Sequence, residues 1–239
     1  MRRAVLTIAV ASLPLAACHF TVDSDDGPAH ARNFPVSAFT KLVIAGPYQV
    51  TVQQGPTAAV AAKGSESALE AVVVEVKDGE LAIHPTNRHF WNWGWRHFGK
   101  VDVTVTVPVL EEATIAGSGN ITVAGLAVPS FKGAVAGSGD LNLSGVDAQS
   151  IDLAIAGSGD IRAAGKAKDV SLTIASSGDI DTAKLIAETA KVSIVGSGDI
   201  KANATGTADL DIMGSGDITV TGGAKCTVTK GGSGEAHCS

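Results

Sequence analysis

Apolar and polar residues alternate in short runs through the second half of the chain. Ile151, Leu153 and Ile155 flank Asp152; Val170, Leu172 and Ile174 flank Ser171 and Thr173; Val192 and Ile194 flank Ser193. The alternation stops and then resumes at Ile161 and Ala163, Ile180 and Thr182, and Ile200 and Ala202, beside Arg162, Asp181 and Lys201. Period two predicts strands with one buried face. The interruption is nearly the same each time: Gly117-Ser118-Gly119-Asn120, Gly137-Ser138-Gly139-Asp140, Gly157-Ser158-Gly159-Asp160, Ser176-Ser177-Gly178-Asp179, Gly196-Ser197-Gly198-Asp199, Gly214-Ser215-Gly216-Asp217 and Gly232-Ser233-Gly234-Glu235. The intervals are 20, 20, 19, 20, 18 and 18 residues. One such unit has too little apolar surface to stand alone, so repetition at this period predicts a solenoid.

The predicted fold is all-β: a right-handed parallel β-helix with about 18–20 residues per coil, the hand following from the general preference of crossover connections. At about 4.8 Å per strand, seven coils make a rod on the order of 30 Å long. An antiparallel sandwich is the competing arrangement, since it too uses short strands. Its turns join differently oriented strands, whereas identical turns argue for identical environments. Residues 36–239 form a single domain, with irregular first coils and a cap in 36–116 and regular repeats in 117–239. Strands are predicted at Leu42–Ala45, Gln49–Val52, Val72–Val76, Leu81–Ile83 and Val101–Val107, with one helical turn over Ser65–Ala71 and an Asp78-Gly79 turn.

The turn residues have a local logic. Glycine at the first and third positions permits positive φ and close approach of one turn to the next, and the Asp carboxylate can accept backbone N–H bonds as in an Asx-turn. Asp140, Asp160, Asp179, Asp199 and Asp217 are therefore read as turn caps. As an aligned acidic column they are also weak candidates for a cation, because Ca²⁺ would relieve like-charge repulsion at strand spacing; one carboxylate per coil argues for capping, and no metal is assigned.

Composition agrees with this picture. Of 28 glycines, 21 lie in residues 117–239, all eight prolines lie at or before Pro129, and there are only 10 aromatic residues. A mean hydropathy of +0.23 with 18% charged residues excludes a disordered acidic chain.

The N-terminus supplies an address. Arg2 and Arg3 precede an apolar stretch from Ala4 to Leu15, which is too short to span a bilayer, so residues 1–17 read as a signal peptide. Leu15-Ala16-Ala17-Cys18 resembles the lipobox of bacterial lipoproteins, which implies cleavage before Cys18 and its lipidation, giving a membrane partner through the anchor. Residues 18–35 read as the lipidated Cys and a flexible tether. His19 is not the Asp that commonly retains lipoproteins in the inner membrane, so the resemblance points to an outer-membrane lipoprotein, facing periplasm or exterior. Without residues 1–17, 16 basic residues stand against 24 acidic, a formal charge of −8, which argues against nucleic acid as a partner.

Cys226 and Cys238 sit at −6 and +6 from Gly232, positions of inward parity on the two strands flanking the last turn. In an exported protein they are predicted to form a disulfide pinning the end of the stack.

The Phe39–Gly46 segment, the strand from Tyr48 to Gln53, the Asp78–Ile83 hairpin, the alternating Val101–Pro108 run and the GSGD series together resemble the putative auto-transporter adhesin, head GIN domain family, over roughly residues 36–235. The resemblance implies an exported bacterial β-helical domain and carries over no catalytic residue.

Half of the aromatics, including all three Trp, fall in residues 90–98. Phe90, Trp91, Trp93, Trp95, Arg96 and Phe98 form a candidate binding loop for a glycan, an envelope protein or a membrane, or else a lid on the solenoid. His84, His89 and His97 match no zinc spacing. The chain has no GxSxG, Walker A, GxGxxG or HExxH motif, and residues 117–231 contain no His to serve a Ser nucleophile. The leading expectation is a non-enzymatic, cofactor-free envelope lipoprotein of adhesin-like or structural type. A carbohydrate-active β-helix enzyme with two convergent carboxylates and a Ca²⁺-stabilised surface module are the alternatives.

Overall fold

The coil formed by residues 141–155 shows the repeat's plan most clearly, with three buried runs separated by exposed pairs. In residues 141–155 the inward residues are Leu141 and Leu143, Val146 and Ala148, then Ile151, Leu153 and Ile155, while Ser144–Gly145 and Gln149–Ser150 are exposed between them. A strand that twice shows two outward residues in succession must bend twice, so the coil is three-sided. The computed structural model describes residues 29–86 and 100–239. The predicted signal peptide, Cys18, the tether up to residue 28, and the segment holding His89, Phe90, Trp91, Trp93, Trp95, Arg96, His97 and Phe98 lie outside the described residues.

In chain order the elements are β1 (His30–Phe34), β2 (Lys41–Ile44), β3 (Gln49–Gln54), β4 (Ala59–Gly64), α1 (Glu66–Glu70), β5 (Val72–Lys77), β6 (Glu80–Pro85), β7 (Asp102–Val107), β8 (Glu112–Ile115), β9 (Asn120–Ala124), β10 (Ala127–Val135), β11 (Leu141–Ile155), β12 (Ile161–Ile174), β13 (Ile180–Gly196), β14 (Ile200–Gly214), β15 (Ile218–Thr221), β16 (Lys225–Gly232) and β17 (Ala236–Cys238). From β8 onward the coils stack in chain order with parallel pairing, as predicted. The face that follows each Gly-Ser-Gly corner is termed the first face, and the one that leads into the next corner the third.

The interior is a set of ladders. Ile121, Leu141, Ile161, Ile180, Ile200 and Ile218 stack on the first face, and Ile115, Val135, Ile155, Ile174, Ile194 and Ile212 on the third, each no more than 1% exposed. Burying each such side chain contributes roughly 1.5–3 kcal/mol. Thr182, the one buried polar residue among those described, donates its hydroxyl to the Lys201 carbonyl at 2.9 Å. Phe131 is the aromatic exception inside the repeats, and Gly133, on the same inward side, leaves room for the leucines packed beside it. A Cβ there would lie 2.7 Å from Leu141 and 2.8 Å from Leu153.

The first half departs from a simple run of early coils. β2 pairs in parallel with both β6 and β8, and β3 with both β7 and β9. The β2–β3 coil, earlier in sequence, therefore lies between the β6–β7 coil and the β8–β9 coil. Burial requires it: Leu42 and Ile44 have no exposed surface and need a neighbour on each side. Outer strands then cover the β6–β7 coil with antiparallel pairing, β5 on β6, β4 on β7 and β1 on β4. This reversal ends the parallel stack and blunts its edge. Asp78 (φ 51°) and Gly79 (φ 78°) are both left-handed, as a tight β5–β6 hairpin requires. Ser65 caps α1 by accepting the Ala68 N–H at 3.3 Å.

The tether boundary needs correction. Residues 30–34 fall within the tether expected from sequence but form β1, because the unpaired outer edge of β4 offers them a ladder. Arg32 adds a hydrogen bond to the Leu69 carbonyl at 3.1 Å.

Candidate functional site

The acidic column at the corners performs a structural task between coils. Asp140 donates its backbone N–H to the Asn120 side-chain oxygen at 2.8 Å, and Asp160, Asp179, Asp199, Asp217 and Glu235 each donate theirs to the Asp carboxylate one coil earlier, at 2.7–3.3 Å. The expected Asx-type cap thus reaches across to the next coil. Asp160 also pairs with Arg162 at 2.8 Å. No group of three or more His, Cys, Asp or Glu side chains placed to hold a metal ion comes together among the described residues. Asp179→Ala is expected to cost about 1 kcal/mol, the worth of one hydrogen bond. Asp179→Asn should stay near wild type, since Asn120 already plays this part. Thermal unfolding of the two variants, with Ca²⁺ and with chelator, tests both the cap and the cation alternative.

On the third face, outward residues form columns along the rod. One column reads Glu80, Lys41, Glu112, Lys132, Asp152, Ser171, Lys191, Asp209 and Thr227 in stacking order. Neighbouring charges in it are of opposite sign, and Lys41 lies 3.9 Å from Glu112. This order exists only because the β2 strand sits between β6 and β8.

The adjacent outward column changes character along the rod. It begins with Ala82, Val43, Thr114, Ala134 and Ala154 and continues as Thr173, Ser193, Asp211 and Thr229. Over the later coils the two columns line a shallow groove of about 520 Å³, bearing Ser171, Thr173, Lys191, Ser193, Asp209, Asp211, Thr227 and Thr229. It carries hydroxyls, one ammonium and two carboxylates. This is the candidate site, and in the sequence it shows only as the polar half of an alternation. The signal that would have found it is a column-by-column alignment of the repeats.

The corner position beside the groove changes as well. Ala116, Ala136, Ala156 and Ala175 give way to Val195 and Met213, which are 51% and 58% exposed. Val195 and Met213 stand in register and continue the outward sides of Lys191–Ser193 and Asp209–Asp211.

At the end of the rod a disulfide joins Cys226 and Cys238, with Cα atoms 6.5 Å apart. Their inward parity does not bury them fully: Cys226 is half-buried and Cys238 exposed, because no further coil covers them. Lys230 occupies the register of the fully buried Ile212, and Val228, at 47% exposure, that of Leu210. A charge at an inward position stops the stack from extending by further pairing.

Elsewhere, His84 lies 3.2 Å from Glu75 on the neighbouring strand. Burial pushes the Tyr48 hydroxyl up to about 12. The structure brings together Cys226 with Cys238 and the corner Asp residues with one another; Cys18 and the aromatic loop lie outside the described residues.

The sequence profile of the family described as "Putative auto-transporter adhesin, head GIN domain" matches residues 38–224. The chain belongs to that family. Solved structures similar to this GIN domain include a "putative adhesin" from Bacteroides fragilis, with TM-score 0.82, 22% identity, and coverage of 89% of this chain and 97% of the other. A "putative lipid binding protein" from Parabacteroides distasonis has TM-score 0.70 and 24% identity, covering 89% and 97%. A "putative adhesin" from Parabacteroides merdae has TM-score 0.66 and 18% identity, also covering 89% and 97%. At these identities the likeness establishes the shared solenoid fold. Among curated proteins, none matches the chain.

Proposed function

We propose that this GIN domain is a non-enzymatic, adhesin-like module of the bacterial cell envelope, exported and held at the outer membrane through a lipid on Cys18. The observation that supports it best is the arrangement of the rod's surface. Chemically active side chains are spread along open faces at coil spacing, which suits contact with an extended partner. The backbone ladders hold those columns rigid, so contact costs little ordering of the protein. Family membership and the adhesin-named structural relatives agree with this reading. The aromatic segment at residues 90–98 is the second candidate contact.

The test combines anchor and contact. Metabolic labelling with a fatty-acid analogue should mark the wild-type protein, and Cys18→Ser should abolish the label and release the protein from the membrane fraction. Cells displaying the wild-type chain should attach to a host-cell or glycan-coated surface more than cells lacking it. Deleting residues 89–98 shows whether the aromatic segment contributes. An unlabelled wild-type protein, or equal attachment without the chain, would overturn the proposal.

A second reading rests on one feature. Asp209 and Asp211, two residues apart on one strand and both outward, place two carboxylates in the groove at roughly 7 Å backbone spacing. A glycoside hydrolase would use such a pair. Incubation with oligosaccharides is expected to release no new reducing ends.

A further inference from the structure

We infer that the third-face groove over β12–β14 and β16 binds a neutral oligosaccharide; the inference rests on the adhesin-like reading and names its ligand class. Two changes overlap on the β13 and β14 coils. The column through Ser193 and Asp211 turns from Ala134 and Ala154 to an unbroken run of hydrogen-bonding residues, and the corner column turns from Ala156 and Ala175 to the exposed Val195 and Met213. The coil's own stability requires neither change, since the coil at 132–136 has Ala134 and Ala136 at the equivalent outward positions.

A polar strip beside an apolar rim matches one ligand chemistry. A pyranose carries hydroxyls around its edge and patches of C–H on its faces. Carboxylates such as Asp209 and Asp211 accept hydrogen bonds from neighbouring hydroxyl pairs, Ser193 and Thr173 can both donate and accept, and Lys191 donates only. Val195 and Met213 offer apolar surface to the C–H patches, with the flexible thioether adapting to shape. The groove repeats along the rod at coil spacing, which suits a linear chain of sugars over a single one. Its charge narrows the ligand class: Lys191 against Asp209 and Asp211 leaves a net −1, on a chain whose formal net charge is −6. Sulfated and uronic glycans would be repelled.

The test measures binding of the full chain to immobilised neutral oligosaccharides and to sulfated ones of the same backbone. Binding to the neutral set alone is expected. Asp211→Ala and Ser193→Ala should each weaken it ten-fold or more, and Met213→Ala several-fold. Lys132→Ala, on the same face outside the groove, should bind as wild type. All four positions are at the surface, and unchanged circular dichroism and melting would show that the variants fold. No binding to neutral glycans, preference for the sulfated set, or wild-type binding by Asp211→Ala would each overturn the inference. Cell attachment by Asp211→Ala separates the two levels. Attachment that persists in this variant, and survives periodate treatment of the target surface, defeats the glycan groove while leaving the adhesin-like reading intact. Glycan binding without any cell attachment by the wild type does the reverse.

Discussion

Gly159→Ala should destabilise the domain by at least about 3 kcal/mol, more than any surface substitution, because it forces a methyl group into the backbone of the neighbouring coil. The added Cβ would overlap the Gly139 carbonyl oxygen and lie 2.9 Å from its carbon. No rotamer relieves this, since the clash is with main chain. Moving the coils apart would break the bond from the Ser158 N–H to the Gly137 carbonyl, at 2.8 Å, and that from the Gly159 N–H to the same oxygen, at 3.2 Å. Gly125→Ala is the control. Gly125 has φ 72°, and a methyl group added there would meet nothing within 4 Å, so its cost is conformational alone, about 1–2 kcal/mol. Chemical denaturation of the two variants separates the terms. The positive φ expected from sequence at the third corner position is not found, since Gly159 and its equivalents have none, so close approach alone explains that glycine; a loss at Gly159 no larger than at Gly125 would mean that the coils part easily to admit the methyl group.

Removing the Cys226–Cys238 disulfide should cost about 3 kcal/mol in the chain-entropy model, for a loop of 12 residues. The loss should be local. In a solenoid each coil contacts only its neighbours, and the last coil has a neighbour on one side alone. Val228, Ala236 and Cys238 bury little surface to hold it once the link is cut. Hydrogen exchange of the Cys226→Ser, Cys238→Ser variant should show faster exchange across β15–β17 and unchanged protection in β10–β12. Uniform loss along the rod would show that the coils unfold as one unit.

Much of the repeat region is legible in the sequence because its signals are local. The strands at Ile151–Ile155 and Ile161–Ala163 follow from alternation, the corner from Gly157-Ser158-Gly159-Asp160, and the Cys226–Cys238 pairing from parity about Gly232. The Asp78-Gly79 hairpin and the α1 turn are legible for the same reason. Four features are not. The middle buried run, Val146 and Ala148, has two inward residues and hides between corners whose only mark is a pair of outward residues. The direction of the Asp bonds is hidden because an Asx-turn and a bond to the next coil's N–H require the same residue. β1 is hidden because its pattern, four exposed residues and one half-buried, carries no periodicity; it is a strand because β4 has an open edge. The candidate groove is invisible for a related reason. Ser193, Asp211 and Met213 lie far apart in sequence, and each is ordinary alone.

The amino-acid sequence by itself determined that this chain repeats a strand-built coil, where the Gly-Ser-Gly corner of each coil falls, and which residues line the two faces beside that corner, because alternation and glycine placement act within a few residues. The tertiary structure alone decided the order of the first coils and what the outer surface presents. Lys41 meets Glu80 and Glu112 only because the β2–β3 coil is inserted between two coils formed later in the chain. That insertion follows from the need of Leu42 and Ile44 for apolar neighbours on both sides, a requirement met through contacts distant in sequence.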